Sequence, residues 1–481
     1  MLTTLLPGFA GTELPMWLRD RLRAGLGGVC LFAQNISSPE QLRNLTEAIM
    51  AANPYAIIAM DEEGGDVTRL FAATGAPFPG NAVLGRLDDL DTTYQTAAAV
   101  SWSLRQAGCT VNFAPCVDVN SRSDNPVIGI RSFGSDAQLV ARHSRASVAG
   151  LQSTGIAATA KHFPGHGDTA QDSHVSLPVV NRSLDELRRR ELVPFAAVIE
   201  QGCRVIMTSH ILLPQLDSDH PATMSRVVLN DLLRDELGFS GVVVSDALDM
   251  AGASGSLGMA GSAVVALRAG CDLLCLGTEN TDDQLTAIER AVSSAVAGGQ
   301  LNSNRVQEAG NRVRGLAEDL KAARLAAGEP PRVAPGWFRG EAELVHALDI
   351  QPGASQWRAR AGGQYAVVRL EADPNIAVGT TPWGPFAADV FAPQRISVIT
   401  PEQWALPSLQ PGQPVLVVGR DIHQHQFARE AVDRLRSQHG DVLVVDMGWP
   451  SADRRYADVA TFGASRLMGR VLLNWLAAEP S

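Results

Sequence analysis

A chain of 481 residues with 45% hydrophobic and 19% charged residues has the composition of an ordinary soluble protein and is long enough for more than one domain. Its net charge of -11 argues against nucleic acid as the main partner, because a polyanion is held by basic surface. No stretch approaches eighteen uninterrupted apolar residues, so no membrane span is expected, and the first ten residues lack the basic start of a signal peptide. The six cysteines, Cys30, Cys109, Cys116, Cys203, Cys271 and Cys275, sit mostly in apolar runs, which predicts reduced, buried thiols and a cytoplasmic setting.

Taken in order, short apolar runs alternate with helical patterns up to about residue 325. The runs read as strands cover residues 2–6, 28–33, 56–61, 110–118, 155–161, 205–210, 242–246 and 272–276. Helix starts are marked between them. Ser38 is an N-cap candidate with Pro39 in the first helical position. Ser183 with Glu186, and Thr281 with Gln284, have capping-box spacing. A helix over 225–238 closes at Gly238. Strands alternating with helices predict an α/β fold, a (β/α)8 TIM-like barrel, with a doubly wound sheet as the rival. Polar residues gather at the strands' C-terminal ends: Asp61, Asp118, Lys161 with His162, His210 and Asp246. That end is where barrels carry their active sites.

Residues 326–345 are rich in Pro and Gly and read as a linker. Beyond them, apolar runs at 365–370, 414–419 and 442–447, with an amphipathic helix over 424–439, form a βαβ pattern. A final helix is expected over 464–478. The domains are therefore a barrel over 1–325, a linker over 326–345 and a smaller C-terminal α/β sandwich over 346–481.

The densest chemistry lies between 161 and 174, which hold Lys161, His162, His166, Asp168, Asp172 and His174 around Pro164, Gly165 and Gly167. The cluster suggests acid/base chemistry or a metal site. In Asp172-Ser173-His174 a carboxylate two residues from an imidazole can orient it and stabilise its cation. A metal reading has His162, His166, Asp168, Asp172 and His174 as ligands, but no regular ligand spacing supports it. The loop matches neither GxGxxG nor the Walker pattern. Asp246, closing the run Gly-Val-Val-Val-Ser-Asp, is a carboxylate at the end of a buried strand. It could be a nucleophile, a base, a ligand or a helix cap. Asp61, Arg69, Arg131, Lys161 and His162 offer the donors and acceptors that a sugar's hydroxyls need.

The run Lys-His-Phe-Pro-Gly-His-Gly-Asp-Thr at 161–169, followed by Asp172 and His174, resembles the signature of glycoside hydrolase family 3, in its β-N-acetylglucosaminidase branch. Supporting stretches lie at 27–36, 60–65, 112–120, 125–133, 221–225 and 237–250, so the resemblance covers about residues 1–325. The second domain is more weakly similar to the C-terminal sandwich of two-domain members.

The resemblance implies Asp246 as nucleophile, His174 as acid/base and Asp172 as its orienting partner, with Asp61, Arg69, Arg131, Lys161 and His162 holding the sugar. It implies a retaining exo-β-N-acetylglucosaminidase acting on cell-wall or chitin-derived saccharides, as in peptidoglycan recycling. No metal or cofactor is implied, and the oligomeric state is left open. Phosphate is the alternative acceptor, since a His acid/base does not repel an anion as a carboxylate would; the activity would then be that of a phosphorylase. One motif departs from the branch. Glu62 and Asp66 stand where Gln and Arg are usual, and the added negative charge is expected to weaken binding of an anionic muramyl aglycone.

Overall fold

Short runs with no polar alternation are stable as strands only when a sheet is covered on both faces, and the inner strands of the two six-stranded sheets follow that rule. The computed structural model describes residues 1–169, 177–255, 257–327, 341–373, 376–388, 396–403 and 405–478. In chain order the strands are β1 (Leu5–Leu6), β2 (Gly28–Leu31), β3 (Ile57–Met60), β4 (Val111–Asn112), β5 (Ala157–Phe163), β6 (Val205–Thr208), β7 (Leu212–Leu213), β8 (Asp217–Pro221), β9 (Val242–Val244), β10 (Leu274–Cys275), β11 (Asp349–Ile350), β12 (Ala366–Leu370), β13 (Ile396–Ile399), β14 (Val415–Gly419), β15 (Val442–Asp446) and β16 (Val459–Ala460). They fall into two compact units, neither continuous in sequence. Unit 1 is Met1–Glu63, Leu90–Ser121 and Ser135–Trp337; unit 2 is Gly64–Asp89, Arg122–Gly134 and Phe338–Ser481.

Unit 1 is built on a curled parallel sheet of order β2-β3-β4-β5-β6-β9. Beyond its edges, β1 pairs in parallel with β10, Val244 bridges Leu273, and Cys30 N donates to Pro7 O. Each of the eight expected strand regions contains a strand, usually a shorter one. Residues 2–4 wind as a 3-10 turn before β1. β5 runs two residues past the expected end at Lys161, so His162 also lies in the strand. Alternate side chains, such as Ile57 and Ala59, Val205 and Met207, and Val242 and Val244, meet in one cluster with Leu316 and Leu320 of helix Ser303–Ala326. Each Val, Leu, Ile or Met side chain among them, fully buried, contributes roughly 1.5–3 kcal/mol.

The helix signals operate as read. Ser38 Oγ accepts from Gln41 N at 3.1 Å, and the capping boxes at Ser183–Glu186 and Thr281–Gln284 are both formed. The helix expected over 225–238 is Val227–Glu236 and is wound more widely than an α-helix: Leu237 N donates to Leu232 O, five residues back. All six cysteines are buried free thiols, and burial pushes Cys109 up to about 12 and Cys203 up to about 11.

Unit 2 contains a sheet of order β11-β16-β15-β14-β12-β13, parallel except for β11. Leu416 and Val418 of β14 face one core with Trp357 and Leu472, on helices Pro352–Ala361 and Arg466–Ala477. Val415 and Val417 face the other core with Val432 and Leu435 of helix Gln426–Gln438. The unit therefore has three layers. The segment Gly64–Asp89 belongs here because Val83, fully buried, packs in the first of these cores. Of the stretch read as a linker, residues 328–340 lie outside the described residues. Its end is not linker: Glu341–Leu344 is helical, and Leu344 is buried in unit 2's core.

Candidate active site

The small residues of β5 let the strand sit at the centre of unit 1's sheet and deliver Lys161 into the interior. Lys161 is 2% exposed, and an ammonium there must be paired. Its Nζ lies 2.6 Å from Asp61 Oδ1 and 2.8 Å from Glu63 Oε1, both just beyond β3. A lysine held between two carboxylates is a fixed charge, and Asp61 keeps its second oxygen for other donors.

The next residue, His162, is held by Asp118. Its Nδ1 donates to Asp118 Oδ2 at 2.7 Å, which fixes the orientation of the ring. The same carboxylate accepts the backbone N–H of His162 at 3.2 Å and of His166 at 2.6 Å. Burial by itself would raise the Asp118 pKa. The imidazoles of His162 and His166 and the N–H donors outweigh burial and hold it at about 2. Burial, followed by the neighbouring His162, lowers His166 to about 4, so its ring is neutral at physiological pH; Asp246 is among the charges acting on it in the opposite sense. Thr169 Oγ1 lies 2.9 Å from His166 Nδ1.

The glycines of this loop have a steric cause. A Cβ on Gly167 would stand 1.8 Å from Val119 O, so the loop can lie against the segment after β4 only with no side chain there. Asp168, one of the ligands in the metal reading, is instead ion-paired with Arg182 and Arg190, each at 2.7 Å. Donor atoms of Cys116, Asp118 and His162 lie within 4.8 Å of one another and could in principle hold a cation. Cys116 Sγ and His162 Nδ1, however, both donate to the same oxygen of Asp118. The set is thus joined by its own hydrogen bonds.

Asp246 follows β9 by two residues and is half-buried, with Oδ1 accepting from Ala247 N at 2.8 Å. His210, two residues past β6, is fully buried. Its Nε2 donates to Ala247 O at 3.0 Å, while Thr223 Oγ1 sits 2.9 Å from Nδ1. His210 therefore ties the end of β6 to the turn that carries Asp246.

Arg69 and Arg131 belong to unit 2. Arg69 Nη2 donates to Ala377 O at 2.9 Å. Arg131 is buried, with Nη1 donating to Val127 O at 3.2 Å, and its carbonyl accepts from Asn81 Nδ2 at 2.7 Å. Asp172 and His174 lie outside the described residues. Of the two departures from the branch motif, Glu62 is fully buried, and its backbone is clamped by the Asn112 side chain at 3.1 and 2.8 Å. Asp66 accepts from Ala464 N at 2.8 Å, next to the start of helix Arg466–Ala477.

Glu63 is absent from the candidates named in the sequence, and Asp118 and His166 are named there without a catalytic or sugar-binding role. Asp118 had a signal, as a strand-end carboxylate, and His166 another, in the loop's cluster of titratable groups. Glu63 had none beyond its place after Asp61, because its partner is nearly a hundred residues away.

Comparison with known proteins places these residues in a family. The model of the glycosyl hydrolase family 3 N-terminal domain matches residues 15–316. The chain is 35% identical over 367 residues to the β-hexosaminidase A of Pseudoalteromonas piscicida, a match covering 70% of this chain and 61% of that protein. It is 40% identical over 301 residues to a β-hexosaminidase of Stenotrophomonas maltophilia, covering 60% of this chain and 89% of that one. Among solved structures, a glycoside hydrolase family 3 β-N-acetylglucosaminidase from Paenibacillus superposes with a TM-score of 0.86 at 28% identity, over 100% of this chain and 96% of that one. NagZ from Neisseria gonorrhoeae, in complex with N-trifluoroacetyl-D-glucosamine, gives 0.55 at 32% identity, over 68% of this chain and 97% of that one. The chain belongs to glycoside hydrolase family 3.

Proposed function

We propose that the protein is a retaining exo-β-N-acetylglucosaminidase that removes terminal N-acetylglucosamine from cell-wall or chitin-derived saccharides in the cytoplasm. The observation that carries this reading is Asp246: a half-buried carboxylate beyond β9, held by Ala247 N–H and by the His210–Ala247 bond. Relatives named β-hexosaminidase support the sugar class. In this reading unit 1's sheet closes as a (β/α)8 barrel, which the β1–β10 pairing and the Val244–Leu273 bridge support.

His174, as imidazolium, gives its proton to the glycosidic oxygen while Asp246 attacks the anomeric carbon. The C–O bond to the aglycone breaks, and a glycosyl-aspartate forms. Neutral His174 then takes a proton from water, whose oxygen attacks the same carbon and releases Asp246. Two displacements leave the configuration retained. Asp172 orients His174. Lys161 and Asp61, fixed by their ion pair, bind hydroxyls, and His162, oriented by Asp118, is a further sugar ligand. Arg69 and Arg131 take their roles as sugar ligands from the family resemblance. Asp118 acts through His162 and is a positioning residue.

The test is turnover of p-nitrophenyl N-acetyl-β-D-glucosaminide, with the sugar product identified by NMR, with and without phosphate. Free N-acetylglucosamine at equal rates in both buffers is expected. N-acetylglucosamine 1-phosphate, released faster in phosphate, would replace the hydrolase with a phosphorylase. No release in either buffer, or full activity in Asp246→Asn, would overturn the reading.

A further inference from the structure

Unit 2 has a pocket that the chemistry above does not use, with a volume of about 530 Å3. It lies outside the C-terminal ends of three parallel strands: Glu371 follows β12, Thr400 follows β13 and Arg420 follows β14. In the sheet, β13 lies on one side of β12 and β14 on the other, so the chain reverses its direction of travel between them. The crevice beyond the carboxyl ends at such a reversal is where open α/β sheets bind ligands.

The polar groups there are held in place before any ligand arrives. Glu371 accepts from Trp383 Nε1 at 3.0 Å, pairs with Arg420 at 3.4 Å and bonds Arg369 closely. The two guanidiniums are themselves seated on rings: Arg420 lies 4.6 Å and Arg369 4.9 Å from the Trp383 centroid, and Arg369 lies 4.6 Å from Phe386. Thr400 Oγ1 donates to Glu402 at 2.9 Å.

The balance of charge selects the ligand. The ionisable lining groups are two arginines against Glu371, Asp373 and Glu402, and both arginines are engaged with Glu371. An anion would meet no cationic excess. A neutral polyol would meet carboxylate acceptors, guanidinium and hydroxyl groups, and an apolar wall at Phe386 for its C–H face. Clefts for small ligands hold about 300–1,000 Å3, and this one is within that range.

We infer that this pocket is a second saccharide site, taking a neutral amino-sugar unit and lined by none of the residues that cut the glycosidic bond. The sugar class rests on the proposed function. Isothermal titration of full-length Asp246→Asn with chitotriose should give two sites per chain. Thr380 is an exposed lining residue, and Asp246→Asn/Thr380→Trp, which fills the pocket, should give one. Thr380→Trp alone should leave turnover of the p-nitrophenyl monosaccharide within twofold of the parent. Glu371→Gln is the second probe and should weaken the second site at least tenfold. One site in Asp246→Asn, or two that survive both changes, would overturn the inference. So would a pocket that takes inorganic phosphate and no chitotriose. Turnover without a Thr380-dependent site would sink only this inference; a Thr380-dependent site without turnover would sink only the assigned activity.

Discussion

Asp118 Oδ2 stands 2.7 Å from His162 Nδ1, and the same buried carboxylate accepts the backbone N–H groups of His162 and His166. One side chain thus fixes both the end of β5 and the loop that follows it.

That arrangement gives a pH-dependent contribution to stability. The Asp118 pKa, about 2, lies below the ordinary carboxylate value of about 4. A depressed folded value stabilises at pH above the unfolded value, and the contribution is lost as pH falls from about 4 towards 2. Asp118→Asn should cost about 2–3 kcal/mol at pH 7 and about half of that at pH 3. Thermal unfolding of both proteins at the two pH values measures this; an equal loss at both would refute it.

Lys161 is paired with both Asp61 and Glu63 in a nearly closed environment. Lys161→Met should cost about 3–5 kcal/mol, because two carboxylates lose the ammonium between them. Lys161→Arg should not restore either stability or activity, since a planar fork cannot occupy the space of a compact ammonium. Urea unfolding and kcat/KM report the two effects separately.

Gly167 touches Val119 O so closely that a single methyl must move the loop. Gly167→Ala is expected to cost about 1–3 kcal/mol and to lower kcat at least tenfold, because this loop leads directly to 170–176. Unchanged kcat would mean that the loop's position against β4 is irrelevant to the chemistry.

Unit 2 should respond to pH in the opposite sense. Burial, then the facing Asp421, raises the Asp446 pKa against three backbone N–H donors from Asp421, Ile422 and Gly448. Burial raises Asp66 to about 6, and Asp421 adds to it. Raised folded values stabilise fully below the unfolded value of about 4, and the contribution is lost as pH rises through the folded values. The unfolding midpoint of unit 2, followed by tryptophan fluorescence, should therefore fall between pH 5 and 7. Asp66→Asn should flatten that fall; an unaltered slope would exclude Asp66 as its source.

Much of this molecule is written locally. Runs such as Ile57–Met60 and Val242–Val244 read as strands because a buried parallel strand has no polar face to interrupt the pattern. Ser38, Ser183 and Thr281 read as helix starts because a cap bonds its own next turn. Lys161, His162 and Asp246 stood out because charge at the end of an apolar strand requires a partner or a use.

Other features depend on residues far apart in the chain. β11 and β16 are two-residue strands, too short for any periodicity, and they exist only through pairing with each other and with β15. The segment Gly64–Asp89 follows β3 in sequence, yet it joins unit 2 because Val83 finds its core there. Lys161 meets Asp61 across a separation of 100 residues, and Asp118 meets His162 across 44. Sequence by itself determined which segments would be buried, where helices begin and which charged residues end up at strand ends, since each of these depends on neighbours a few positions away. Only the tertiary structure decided which carboxylate holds which cation, because that pairing is selected by packing between distant strands, where an unpartnered buried charge is too costly to persist.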